Sequence, residues 1–190
     1  MEIFTLNTSA ISFTDEEFFL FCQDNDTLRF ERTADQQIIV MAPTGLDSSY
    51  KNSDLNIELG IWNRRTKLGY VFDSNAGFTL PNKAVRSPDA AWVKKERYES
   101  LSLSERQKFG HICPDFVIEL QSPSDNLKHL KDKMDEYISN GCRLGWLISP
   151  ELQKVFIYKP GITITDTPFE NPLSGEDVLP GFLLDLKSIF

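Results

Sequence analysis

ICPDFVIELQSPSDNLKHLKDKMDEYISNG, residues 112–141, is the stretch whose reading decides the fold. Asp115, Val117, Glu119 and Gln121 fall on one face of an extended run, and Phe116, Ile118 and Leu120 fall on the other. The β-branched pair Val117-Ile118 favours strand over helix. A Glu and a Gln set among apolar neighbours are costly to bury unless something pairs with them, and that cost is the first sign of a site. The run stops at Ser122-Pro123-Ser124-Asp125. Ser122 is expected to cap a helix, with Pro123 in the first helical position and Asp125 at the positive helix start. Leu127, Leu130, Met134, Tyr137 and Ile138 then recur at three- and four-residue steps as an apolar stripe, and Asn140-Gly141 ends the helix.

Upstream, TDEEFFLFC (14–22) reads as a short helix in which Thr14 and Glu17 form a capping box. LRFERT (28–33) and QQIIVMAP (36–43) read as a hairpin turning at Ala34-Asp35, with Glu31 on the face of Arg29. Pro43-Thr44-Gly45 breaks the chain. Residues 48–66 form the first long helix, with Leu55, Leu59 and Trp62 on one side and Arg64, Arg65 and Lys67 at its end. GYVFDS, GFTLPN (77–82) and AVRSPDAAWV (84–93) read as three strands, and 94–110 as a partly helical excursion. Downstream, CRLGWLISP, KVFIYKP and ITITDT are further strands, with a turn at Pro150 to Gln153. The tail DVLPGFLLDLKSIF is apolar enough to pack back on the core. The expected fold class is α/β or α+β: a mixed β-sheet flanked by helices, preceded by an N-terminal helix and hairpin.

The 190 residues fit a single domain spanning 1–190. No apolar run is long enough for a membrane span. The N-terminus lacks a basic and an apolar leader region and reads as mature cytoplasmic sequence. Cys22, Cys113 and Cys142 are widely spaced and odd in number, which reads as free thiols. The net charge of −8 is uneven, since residues 1–60 hold 11 acids against 3 bases. Residues 83–108 carry 7 bases and 4 acids, a stretch that suits either a phosphate-binding face or ordinary solvated surface.

Two carboxylates on adjacent strands can hold a divalent cation through oxygen, and Asp89 and Glu119 are the best pair. Glu119 and Gln121 emerge on one face about 6.6 Å apart. Asp115 lies about 13 Å along the strand from Glu119, too far to share an ion, and ranks as a helper or strand-start residue. Lys131 and Lys133 flank the apolar stripe on opposite sides and are snorkelling lysines by pattern. Glu31 is surface-like by the same standard. His111 and His129 have no metal-site or triad spacing, and no P-loop, G-x-S-x-G or G-x-G-x-x-G occurs.

SPDAAWV (87–93), PDFVIELQSPSD (114–125), KMDEYISNGCRLGWLISP (133–150) and DVLPGFLLDL (177–186), in this order and spacing, resemble a restriction-endonuclease-like family abundant in cyanobacteria. That family is placed in the PD-(D/E)XK nuclease superfamily. The resemblance extends over nearly the whole chain, including the RFERT hairpin and the APTG turn. It implies hydrolysis of DNA phosphodiester bonds with Mg²⁺ or Mn²⁺ as cofactor. It carries Asp89 and Glu119 over as the metal-binding acids, with the backbone carbonyl of Leu120 as a further ligand. The superfamily's lysine position holds Gln121 here. Some members work with Gln there, and others move the lysine to the following helix, which nominates Lys133. Glu31 resembles the Glu that such families add from the N-terminal segment. The implied division of labour has Gln121 orienting a water, Lys133 offsetting developing charge, and the helix start after Ser122 holding a phosphate.

Two other classes remain open on the sequence. A nuclease-fold module without catalysis would bind nucleic acid or a protein partner, in keeping with the acidic N-terminal third and the missing in-motif lysine. An assembly protein would pair through exposed strands, and a homodimer is compatible with every reading.

Overall fold

A computed structural model describes residues 4–6, 8 and 13–190, so the N-terminal reading lies largely outside the described residues. Strand β1 (Phe4–Leu6) precedes helix α1 (Asp15–Asp24). Thr14 caps α1 through the expected box: its Oγ1 accepts from Glu17 N at 3.2 Å, and Glu17 Oε2 accepts from Thr14 N at 2.8 Å. Strands β2 (Arg29–Arg32) and β3 (Ile38–Met41) form the expected hairpin. Helix α2 (Leu46–Thr66) buries Leu55, Leu59 and Trp62, the stripe that the sequence shows.

Strands β4 (Gly69–Asp73) and β5 (Phe78–Thr79) follow. AVRSPDAAWV is not one strand, as expected above, but two: β6 (Val85–Arg86) and β7 (Ala90–Lys94), in different sheets. Pro88 has no N–H for a ladder, and the Ser87 N–H goes to Glu31 Oε1 at 2.9 Å. The chain passes between sheets at this point, which leaves Asp89 at the mouth of β7. The charged excursion contains α3 (Lys95–Glu99) and α4 (Leu103–Arg106), the latter capped by a Ser102–Glu105 box.

After β8 (Gly110–His111) comes β9 (Phe116–Leu120), all of it buried. The next helix, α5 (Leu127–Ser139), starts later than expected. Ser122 does not cap it. Its N and Oγ both donate to Asp125 Oδ2, at 2.9 and 2.7 Å, and close a local turn. Asn126 is the cap, its Oδ1 accepting from Lys128 N at 2.8 Å. Strands β10 (Leu144–Ser149), β11 (Lys154–Lys159) and β12 (Ile162–Pro168) complete the expected run, and β13 (Leu173–Ser174) pairs with β14 (Leu183–Leu184).

The expected mixed sheet is present, but the described strands form two six-stranded sheets and a ribbon. The main sheet has the order β12-β11-β10-β9-β7-β4. Its centre is β9, parallel to β10 across the α5 crossover and antiparallel to β7. One face packs on α2 and on the tail residues Phe182, Leu184, Leu186 and Ile189, and the other on Met134 and Tyr137 of α5. Gly145 admits α5 closely, because a Cβ there would collide with the Met134 methyl. The second sheet, β1-β3-β2-β6-β5-β8, has its own core around Phe18, Phe30, Ile38 and Val85. The three cysteines are free, two of them buried. Among the described residues no helix is long and apolar enough to cross a membrane.

Candidate active site

The carboxyl-terminal end of β9 brings most of the expected residues together. The β7–β9 register pairs Ala90 with Ile118, and one further step sets Asp89 opposite Glu119. Asp89 Oδ2 accepts from the Leu120 amide at 2.8 Å, and its Oδ1 accepts from Asn52 of α2 at 3.2 Å. In an extended residue N–H and C=O point the same way, so the Leu120 carbonyl also faces the Asp89 side. Glu119 is 3 % exposed. Its Oε1 accepts from the Tyr137 hydroxyl at 3.1 Å and lies 2.8 Å from Lys133 Nζ.

Lys133 reaches the site from α5 and is not a solvated helix lysine. Its ammonium sits 2.8 Å from Glu119 Oε1 and 2.8 Å from Glu31 Oε1, and it donates to the Ser87 carbonyl at 3.4 Å. Met134 and Tyr137 are drawn inward by the apolar stripe, and that packing turns the flanking Lys133 toward the end of the sheet. Lys131, on the other flank, lies over the Phe156 ring at 4.1 Å. Glu31 is likewise buried: Arg86 Nη1 donates to it at 3.0 Å, and Arg86 Nε donates to Glu136 at 2.5 Å.

Gln121 is not drawn into this ion-pair cluster. Its Oε1 accepts from Ser149 Oγ at 2.6 Å, which ties the end of β9 to β10. Asp115 is confirmed as a strand-start residue: it accepts from the Lys94 amide at 2.8 Å and pairs with Arg97 at 2.9 Å. The helix start that was expected to hold a phosphate belongs to Asn126, whose side chain already occupies the amides of Lys128 and His129.

Burial is the largest influence on every carboxyl here. It raises Asp89, with the Leu120 amide and Lys133 opposing it. It raises Glu119 to about 8, despite Lys133, because Asp89 and Glu31 add to the effect. Glu31 ends below its usual value, since Lys133 and Arg86 together outweigh its burial. Lys133 ends above its usual value, because Glu119 and Glu31 outweigh its desolvation. One ammonium thus serves three buried carboxyls, in contact with Glu119 and Glu31 at the same 2.8 Å and acting on Asp89 through its charge. The Asp89–Glu119 pair is short of positive charge, which suits an oxygen-liganded divalent cation. Among the described residues no group of three or more His, Cys, Asp or Glu side chains gathers to hold one ion.

Sequence reasoning missed Arg86, Glu136, Asn52, Asn56 and Ser149. Arg86 stands three residues before Asp89, a spacing that could have flagged it. Asn52 and Asn56 are one helical turn apart on α2, a polar pair beside the buried stripe. Nothing in the sequence links Ser149 to Gln121.

The fold is nuclease-like. The crystal structure of a "putative nuclease belonging to DUF820 from Anabaena variabilis" matches with a TM-score of 0.74 at 19% identity, covering 94% of this chain and 98% of that one. No curated protein matches the chain. The family model Uma2, described as "Putative restriction endonuclease", matches residues 15–187. The chain belongs to that family.

Proposed function

We propose that this protein is a metal-dependent endonuclease that hydrolyses DNA phosphodiester bonds at the cluster of Asp89, Glu119 and Lys133. The observation that carries the reading is Lys133, buried and 2.8 Å from both Glu119 and Glu31. It supplies from α5 the cation that the strand lacks at Gln121. Asp89 and Glu119, with the Leu120 carbonyl, would hold Mg²⁺ or Mn²⁺. Such an ion supplies, when bound, Lewis-acid stabilisation of a phosphate oxygen and acidification of water.

The chain's own residues do the rest. Once Glu119 is neutralised by other means, Lys133 can turn its ammonium toward the phosphate and offset developing charge. Glu31, held by Arg86 and the Ser87 amide, keeps Lys133 protonated and aimed. The Tyr137 hydroxyl fixes the orientation of the Glu119 carboxyl, and the Leu120 amide that of Asp89. Gln121 anchors the end of β9 through Ser149, and the lysine's role falls to Lys133.

The test is nicking of supercoiled plasmid with Mg²⁺ and with Mn²⁺. Cleavage by the wild type that is lost in Glu119→Ala supports the reading. The neutral Gln121 at the strand position of the motif lysine, tied to Ser149 at 2.6 Å, favours a second reading, a module that binds nucleic acid without cutting. Metal-independent DNA binding, no nicking, and no heat of Mn²⁺ binding by calorimetry would establish that one instead.

A further inference from the structure

The geometry points to a groove beside α2 as the seat of an unpaired strand adjoining the scissile phosphate, so that the preferred substrate is single-stranded nucleic acid; this rests on the nuclease reading above. Two cavities of about 410 and 550 Å³ share Asn56, Gly60, Arg64 and Asp73, and together form one groove between α2 and β4. The groove begins at the site itself. Asn52 donates to Asp89 Oδ1, and Asn56 donates to the Asp89 carbonyl at 2.9 Å.

The amide oxygens of Asn52 and Asn56 are both buried without a hydrogen-bond partner. A buried acceptor left unpaired is costly, and the amino or hydroxyl groups of a nucleotide are donors that would relieve it. Gly60 is the second signal. Glycine in a helix interior weakens the helix, yet a Cβ at Gly60 would meet nothing within 4 Å. The packing does not require glycine there, and any side chain would stand in the groove. The far end holds the means of gripping a strand. Arg64 is exposed and makes no ion pair among the described residues. Tyr70 lines the second cavity, its ring backed by Tyr98 at a centroid distance of 4.3 Å. Arg29 reaches the rim, donating to Ser74 and Asn75.

Amide groups, one cation and an aromatic ring, beside the single acid Asp73, suit unpaired bases, whose faces and edges are free. Paired bases offer neither to such a surface.

The experiment is fluorescence anisotropy on the full chain in EDTA, with a labelled short oligonucleotide of mixed sequence, single-stranded or annealed to its complement. The single strand is expected to bind at least ~10-fold more tightly than the duplex, and Gly60→Trp to weaken single-strand binding ~10-fold or more. Gly60→Ala, which adds only a methyl group, is expected to weaken binding by less than Gly60→Trp does and to melt at a higher temperature. Arg64→Gln guards against misfolding of the tryptophan variant, and is expected to weaken binding and flatten its salt dependence. Equal binding of duplex, or undiminished binding by a folded Gly60→Trp, would overturn the inference. Duplex plasmid nicked at the wild-type rate by Gly60→Trp would overturn it too, while leaving the nuclease reading intact. Single-strand binding that Gly60→Trp abolishes, in a protein that cuts nothing with either metal, would overturn the nuclease reading and keep the groove as a binding site.

Discussion

Replacing Lys133 by methionine keeps the length of the side chain and removes the ammonium that bridges Glu119 and Glu31. Breaking a buried ion pair by removing one partner costs about 3–5 kcal/mol. Two features reduce that here. Arg86 and the Ser87 amide remain on Glu31 at 3.0 and 2.9 Å. Glu119 can hold a proton, because burial, with Asp89 and Glu31, already places it at about 8 against Lys133. Near neutral pH the loss should therefore fall to ~1–3 kcal/mol. A raised folded-state value means that the contribution of Glu119 to stability is complete below its unfolded value of 4.5 and is lost as pH rises through about 8. Without Lys133 the folded-state value climbs further, so the variant continues to lose stability above that pH after the wild type has levelled off. Between pH 8 and the ordinary lysine value of 10.5 the gap between the two proteins should widen, by up to ~1.4 kcal/mol per pH unit. Melting temperatures in EDTA would show this, since each kcal/mol shifts a chain of this size by ~2–4 °C. A gap that stays constant or narrows between pH 8 and 10.5 would refute the assignment of Lys133 to Glu119.

Asp115→Ala should cost ~1–3 kcal/mol by stranding the Lys94 amide and Arg97, visible in urea unfolding, while leaving the rate of plasmid nicking unchanged. Asn126→Ala should lower stability by ~1 kcal/mol through loss of the α5 cap, and Ser122→Ala should leave the amide hydrogen exchange of the first α5 turn as it is in the wild type. Burial pushes the Cys22 thiol up to about 11 and the Cys113 thiol up to about 12. A chromogenic disulfide reagent at neutral pH should therefore react slowly with the native protein and rapidly once urea is added, and prompt reaction of the native thiols would contradict that burial.

The elements were legible in the sequence where one physical rule governs. The α2 stripe, the Thr14–Glu17 box, the buried run of β9 and the strands after Gly141 all follow from periodicity and capping. The errors sit where long-range contacts decide. Ser122 has the composition of a cap, but Asp125 engages it locally and moves the helix start to Asn126. AVRSPDAAWV alternates like one strand, but the Ser87 amide is claimed by Glu31, 56 residues away, and the segment divides between sheets. In the site, Asp89 and Glu119 were readable because a carboxyl among apolar residues is conspicuous. Lys133 came only through the family resemblance, since by pattern it is a flank residue like Lys131. Arg86 and the two asparagines were not readable, because their partners lie on elements whose placement the sequence does not reveal.

The most direct measurement is the single-turnover nicking rate of supercoiled plasmid at saturating Mn²⁺ for wild type, Lys133→Ala and Gln121→Ala. Loss of the charge that offsets the transition state should slow Lys133→Ala by ~10²–10³. Gln121→Ala, which loses only the Ser149 bond, should stay within ~10-fold of the wild type. The reverse order, or nicking by Lys133→Ala at the wild-type rate, would contradict the assignment of the catalytic cation to α5.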